Sequence, residues 1–150
     1  MTVSVAILED DSLRIAAMRT CVAEVLPGIE AVFFENAAEM IAWLGERLGH
    51  VVLISLDHDL PLRPRDGVVI DCGTGRQVAD FLASMPPTCP VIVHSSNDLC
   101  APGMFFALKD AGWPCRRVYP CGDLAWVAAS WGKEIQRLLR GGWIKDTVSE

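Results

Sequence analysis

A five-stranded parallel sheet covered by helices on both faces, a doubly wound three-layer α/β/α sandwich in a single domain, is the fold this sequence predicts. Three observations predict it. Short apolar runs alternate with longer segments of helical period, and the alternation repeats five times. The 150 residues are 51% hydrophobic, enough for one substantial core and too few to suggest two domains. Three of the apolar runs end in polar clusters, Glu9-Asp10-Asp11, Asp57-His58-Asp59 and His94-Ser95-Ser96-Asn97, and an open parallel sheet binds its ligands beyond the carboxyl ends of its strands.

The elements follow in order. Val3 to Leu8 is a compact strand. Asp11 or Ser12 caps a helix whose Ile15, Met18, Val22, Val25 and Leu26 fall near one face, and Pro27-Gly28 stops it. Ala31 to Phe34 is a short second strand, and a helix with Ala37, Ile41 and Leu44 on its buried side runs to Gly49. Val51 to Leu56 reads as a third strand buried on both faces. A long loop then spans Pro61 to about Gly73. Gln77 to Met85 forms a third helix, broken by Pro86-Pro87 ahead of the fourth strand, Val91-Ile92-Val93. Met104, Leu108 and Ala111 mark a short helix ending at Gly112, and Arg116 to Tyr119 is a brief fifth strand. Leu124, Val127, Trp131, Ile135 and Leu138 repeat at helical spacing through the last helix. The domain occupies residues 1–140, and the Gly141-Gly142 pair opens a polar tail, 141–150. Five β/α units in this order make the sheet flavodoxin-like.

Composition narrows the function. The formal net charge is −6 and no Lys/Arg-rich run is present, so no nucleic-acid surface is expected. The opening MTVSVAILEDD lacks a basic segment and a long apolar core, and no stretch approaches membrane-spanning length. A cytoplasmic protein is the expectation. Six cysteines, Cys21, Cys72, Cys89, Cys100, Cys115 and Cys121, form no C-x-x-C pair and have no matching histidine spacing, so neither structural zinc nor disulfides are expected. Gly73-Thr74-Gly75 lacks the rest of a dinucleotide fingerprint and reads as a turn leading into a helix. His50 reads as a solvent-side residue. Trp43, Trp113, Trp126, Trp131 and Trp143 read as core or cover aromatics, and Trp126 and Trp131, five apart, need not share a helix face.

The oddest stretch is LISLDHDLP, residues 53 to 61, where a buried strand ends in two carboxylates and an imidazole. With Glu9 and Asp10 these acids offer hard oxygen ligands suited to Mg²⁺ or a similar divalent cation. His58 and His94 offer proton transfer near neutral pH. Each has a plainer reading beside it: Asp10 and Asp11 as helix caps, His94 as a hydrogen-bonded structural histidine, His58 as the shield of a turn.

On these residues the chain resembles a response-regulator receiver domain over nearly its whole length. ILEDD at 7 to 11 is similar to that family's acidic pair, LDHDLP at 56 to 61 to its phospho-acceptor strand, and PVIVHSS at 90 to 96 to the strand ending in its switch hydroxyl. The resemblance implies metal binding by Glu9, Asp10 and Asp57, phosphorylation at Asp57, and a switch role for Ser95. AGWPCRRVYP at 111 to 120 departs from it, because Tyr119 stands where the family has a lysine. A neutral phenol in place of that cation puts ordinary phosphotransfer in doubt. Arg117 shares strand parity with Tyr119 but lies deeper.

His58, Asp59, His94 and the long loop LRPRDGVVIDCGTG go beyond the receiver pattern and resemble a divergent subgroup, the cyclic-phosphate-processing receiver-like domains. That resemblance implies a site that binds or hydrolyses a cyclic phosphate, a cyclic nucleotide being one such ligand. Hydrolysis needs neutralised phosphoryl charge, a positioned water and a proton for the departing alkoxide. The catalytic candidates are Asp57, His58, Asp59, His94 and Ser95. Ser96, Asn97 and Arg76 are candidates for holding ligand oxygens, with Arg63 and Arg65 as further phosphate clamps. A stand-alone signalling receiver, phosphorylated at Asp57 or acting through a protein partner, is the alternative, and a non-catalytic sensor is a third reading. A homodimer through the last helices, as in many receivers, stays open.

Overall fold

The computed structural model describes residues 2–140. The tail 141–150, and with it the boundary expected at residue 140, lies outside the described residues. Strand β1 (Ser4–Leu8) is buried along its length. Asp11 caps α1 (Ser12–Val25), its Oδ1 accepting the Leu13 and Arg14 N–H groups at 3.0 Å each. Strand β2 (Glu30–Phe34) leads to Asn36, whose side chain accepts the Glu39 N–H at 3.1 Å and caps α2 (Ala37–Arg47). A 3₁₀ turn, Leu48–His50, runs into β3 (Val51–Leu56).

The expected loop after β3 contains an antiparallel hairpin, β4 (Arg63–Arg65) and β5 (Val68–Ile70). Asp66 and Gly67 turn it with positive φ of 55° and 78°, the conformation of a tight two-residue hairpin turn. Arms of three residues, one holding Pro64, are too short to show a period of two. Helix α3 (Gly75–Ala83) starts two residues earlier than its apolar pattern, with the Gln77 side chain accepting the Thr74 N–H at 3.0 Å. Then come β6 (Val91–His94), α4 (Ala101–Asp110) and β7 (Cys115–Val118), the last one residue ahead of expectation.

The final helix departs most. It begins as a π-helical segment, Val127–Gly132, and only then continues as α5 (Lys133–Arg140). The wider π turn brings residues five apart to one side, so Trp126 and Trp131 are both buried. Gly132 makes this packing possible, because a Cβ there would come within 2.6 Å of the Cys21 sulfur on α1.

The sheet order is β2-β1-β3-β6-β7, all parallel, which is the flavodoxin-like arrangement. Alternate strand residues feed two cores. Ala6, Leu8, Ile54, Leu56, Val91 and Val93 pack under α2, α3 and α4; Val5, Ile7, Leu53 and Ile92 pack under α1 and the last helix. Four cysteines, Cys21, Cys72, Cys89 and Cys115, are buried as small core residues, and His50 is exposed. No helix among the described residues is long and apolar enough to cross a membrane.

The start of α3 is wedged against the functional edge. The Gly75 N–H donates to the His58 carbonyl at 3.0 Å, and a Cβ on Gly75 would collide with the Asp57 carbonyl oxygen and the Met104 methyl. Gly75→Ala should therefore lose about 2–3 kcal/mol in urea denaturation, whereas Gly45→Ala, in α2 with open space around it, should be neutral or gain up to about 1 kcal/mol. Equal effects at the two positions would show that the wedge is relaxed.

Candidate functional site

The site is built by strand register. Leu8 pairs with Leu56, and Leu56 with Val93, so the next residue on each chain, Glu9, Asp57 and His94, comes to one level at the carboxyl edge. All three are buried, at 0%, 7% and 0% exposure. One donor atom from each lies within 4.8 Å of the others. Asp10 follows at the half-buried next position.

Backbone and side-chain donors converge on these acids. Glu9 Oε2 accepts the Asp10 and Asp11 N–H groups at 2.9 and 3.1 Å; Asp57 Oδ1 accepts the His58 N–H at 2.8 Å. Arg14 Nη1 lies 3.5 Å from Glu9 Oε1 and 3.9 Å from Asp57 Oδ2. Burial opposes charge on Glu9, but the His94 imidazole, the Asp11 N–H and the Arg14 guanidinium outweigh it and hold the carboxyl down to about 2. Asp57 goes the other way. Burial, reinforced by the Glu9 charge, pushes it up to about 6 against the pull of His94, the His58 N–H and Arg14.

His94 is held from behind. Its Nδ1 lies 2.6 Å from Ser55 Oγ, and Trp131 Nε1 donates to the same Oγ at 2.9 Å. The Trp126 ring stacks on the imidazole, centroids 6.1 Å apart, and carries Arg14 at 5.5 Å. The other nitrogen, Nε2, approaches Glu9 Oε1 to 3.3 Å without the alignment of a good hydrogen bond, so that both buried atoms have ion-pair neighbours but no well-formed hydrogen bond. Such atoms call for an explanation. Two carboxylates and an imidazole, converging and incompletely satisfied, are a donor set that fits a divalent cation.

A second constellation forms the rim. His58 Nδ1 and Asp59 Oδ1 lie 2.8 Å apart, and the Asn97 amide donates to both Asp59 oxygens at 3.2 Å. Ser95 is buried, and its hydroxyl accepts the Asn97 N–H at 3.1 Å. Ser96 is exposed.

Other candidates pair outside the acid cluster. Arg76 pairs with Asp80 on its own helix at 2.8 Å and leans on Gly103 of α4. Arg117 is exposed and faces Asp98 at 3.7 Å, and Tyr119 is 51% exposed just past β7. The side chains of Arg63 and Arg65 lie outside the described residues. The cation that the sequence reading missed is Arg14. Its signal was positional: with Asp11 as the cap, residue 14 falls in the first turn of α1, next to the acids. A groove of about 440 Å³ opens beside this edge, lined by Phe33, Phe34, Asn36 and the hairpin residues Pro64 and Ile70. A hollow of about 530 Å³ near Ser4, Glu30 and His50 lies at the opposite, amino end of the strands, away from the acids.

The comparisons with known proteins point the same way. The family model for the cyclic-phosphate processing receiver domain matches residues 5–110. No curated protein matches the sequence. Among solved structures, the phosphorylated cyanobacterial phytochrome response regulator RcpA is similar at 19% identity and TM-score 0.65, covering 96% of this chain and 95% of that one. The Mn²⁺-bound response regulator Rcp1 is similar at 16% and 0.63, covering 90% and 94%. A response regulator receiver domain from Rhodospirillum rubrum is similar at 17% and 0.61, covering 91% and 90%. At these identities they show the shared fold.

The opposed carboxyls make stability depend on pH in opposite senses. In metal-free protein the raised carboxyl of Asp57 costs stability as pH climbs from about 4, where the unfolded group ionises, to about 6. Asp57→Asn should then stabilise by about 2 kcal/mol above that window and by little below it. Glu9 contributes stability above its ordinary 4.5 that is lost as pH falls toward about 2, so Glu9→Gln should destabilise at neutral pH. Urea denaturation with a chelator across this range checks both; a pH-independent gain for Asp57→Asn would mean that Asp57 titrates normally.

Proposed function

The chain belongs to the cyclic-phosphate processing receiver family, and from that premise we propose that it binds a cyclic phosphate at the carboxyl ends of β1, β3 and β6 and hydrolyses it with a divalent cation held there. The observation that carries this reading is the buried Glu9, Asp57 and His94 cluster, with two atoms that lack a well-formed hydrogen bond, beside Arg14. Glu9 and Asp57 would hold the cation, with Asp10 beside them, and the bound ion would supply phosphoryl charge neutralisation and an activated water. The Mn²⁺-bound Rcp1 supports a cation in a fold of this kind.

The chain's own residues supply the rest. Arg14 takes the part of the cation absent at Tyr119, since its guanidinium sits against both acids and offers a planar fork to phosphoryl oxygens. Opening the ring joins a water oxygen to phosphorus, breaks one ring P–O bond and moves, in net, one proton to the departing oxygen. His58 is the group for that proton: Asp59 fixes its Nδ1, and Asn97 fixes Asp59, the arrangement that orients a general acid or base. Ser95 and Asn97 shape the turn at the end of β6. The groove under the hairpin offers space for the organic part of the ligand.

A signalling receiver that takes a phosphoryl group on Asp57 is the second reading, favoured by the level placement of Asp57 with Glu9 and by the likeness to phosphorylated RcpA. The exposed phenol of Tyr119 weighs against it.

Incubation with a divalent cation and 2′,3′- or 3′,5′-cyclic nucleotides should release the phosphate monoester. His58→Ala should lower kcat about 100-fold or more, and Arg14→Ala should lower kcat/KM at least about tenfold. No product from either nucleotide class, together with a beryllofluoride adduct on Asp57, would hand the site to the signalling reading.

A further inference from the structure

We propose that His94 is the third ligand of the cation site, through Nε2, and that the site accordingly takes a borderline transition ion such as Zn²⁺ or Fe²⁺ in preference to Mg²⁺. This rests on the cation part of the reading above and is independent of the cyclic phosphate. Imidazole is a poor ligand for Mg²⁺, which demands oxygen donors and gives up its waters reluctantly, whereas it suits the later first-row ions. The expected receiver ligands are all oxygens. Here a nitrogen of the buried imidazole lies within 4.8 Å of a carboxylate oxygen from each acid, and Nε2, 3.3 Å from Glu9 Oε1, makes no aligned hydrogen bond.

The hydrogen bonds behind His94 fit this role. Trp131 Nε1 is a donor only, so it occupies one lone pair of Ser55 Oγ. A second lone pair and one proton remain to meet His94 Nδ1 at 2.6 Å. When Ser55 donates, Nε2 carries the ring proton and faces Glu9. When Ser55 accepts, the ring proton sits on Nδ1 and Nε2 presents its lone pair on the Glu9 side, 3.3 Å from Oε1. Exchange between these states needs only a hydroxyl rotation and a shift of the ring proton, while the heavy atoms stay where Trp131 and the Trp126 stack hold them. Ser55 and Trp131 are thus positioning residues, the partners that fix the ring of a metal-bound histidine.

The test is cation binding to the purified full chain, read by isothermal titration with Zn²⁺, Mn²⁺ and Mg²⁺, and by nitrogen hyperfine coupling to bound Mn²⁺ in pulsed paramagnetic resonance. Wild type should bind Zn²⁺ at least about tenfold more tightly than Mg²⁺, and Mn²⁺ should show a directly bound imidazole nitrogen. His94→Gln, which keeps hydrogen-bonding capacity but presents oxygen or amide, should lose the nitrogen coupling and narrow the Zn²⁺ preference while still binding Mg²⁺. Ser55→Ala and Trp131→Phe should weaken Zn²⁺ binding about 10- to 100-fold, and thermal melts of the metal-free variants separate that loss from misfolding. Mn²⁺ binding without nitrogen coupling would overturn the His94 assignment and leave the cation site standing. Absence of binding by every cation would overturn the cation site itself.

Discussion

The carboxyl edge depends on one alignment. Because Leu8, Leu56 and Val93 stand side by side in the sheet, the residues that follow them are forced to a common level, and two of the three are carboxylates out of water. An uncompensated buried charge costs several kcal/mol, so the surroundings are organised around offsetting it. Two N–H groups of the β1–α1 turn serve Glu9, one serves Asp57, and Arg14 spans both. The offset is incomplete by two atoms, Glu9 Oε1 and His94 Nε2. Three backbone donors and a guanidinium serve this cluster, and the proposed cation would complete the coordination that its centre lacks.

The last helix is shaped by the same edge. In an α-helix Trp126 and Trp131 would diverge; the π segment between them turns both indoles inward, one as the floor under His94 and the other as the donor to Ser55. Departures from α geometry inside a helix frequently mark functional sites. Gly132 lets that wider turn lie against Cys21 on α1, which also carries Arg14. The π segment and α1 therefore position opposite sides of one constellation.

Much of this was legible in the sequence, because strands buried on both faces write themselves as continuous apolar runs and polar residues at their ends stand out. Glu9, Asp57, His58, Asp59, His94 and Asn97 were visible for that reason. Arg14 was not, because an arginine on an exposed first turn looks like any solvent-facing charge until the cap at Asp11 fixes its direction. Arg76 shows the complementary limit: nearness in sequence to the long loop says nothing about its pairing with Asp80 on its own helix. The hairpin and the π segment escaped because one is too short for its period and the other has a period of its own.

In the proposed function, moving the cation from the end of the fifth sheet strand to α1 would change what the edge can hold. A lysine opposite Asp57 is a point charge matched to one covalently attached phosphoryl group. Arg14 comes from α1, sets a single nitrogen, Nη1, 3.5 and 3.9 Å from Glu9 and Asp57, distances too long for strong hydrogen bonds, and lies over Trp126. In the proposed function, a guanidinium at these distances from the carboxylates and stacked on an aromatic face would exchange those acids for the oxygens of an arriving anion. At the position where the receiver family has its lysine, Tyr119 is 51% exposed, and Arg117 on the fifth sheet strand faces Asp98 at 3.7 Å. Under the proposed function, this placement of the cation is what separates a site for a phosphate that arrives and leaves as a diffusible ester from one that stores a phosphoryl group on the protein.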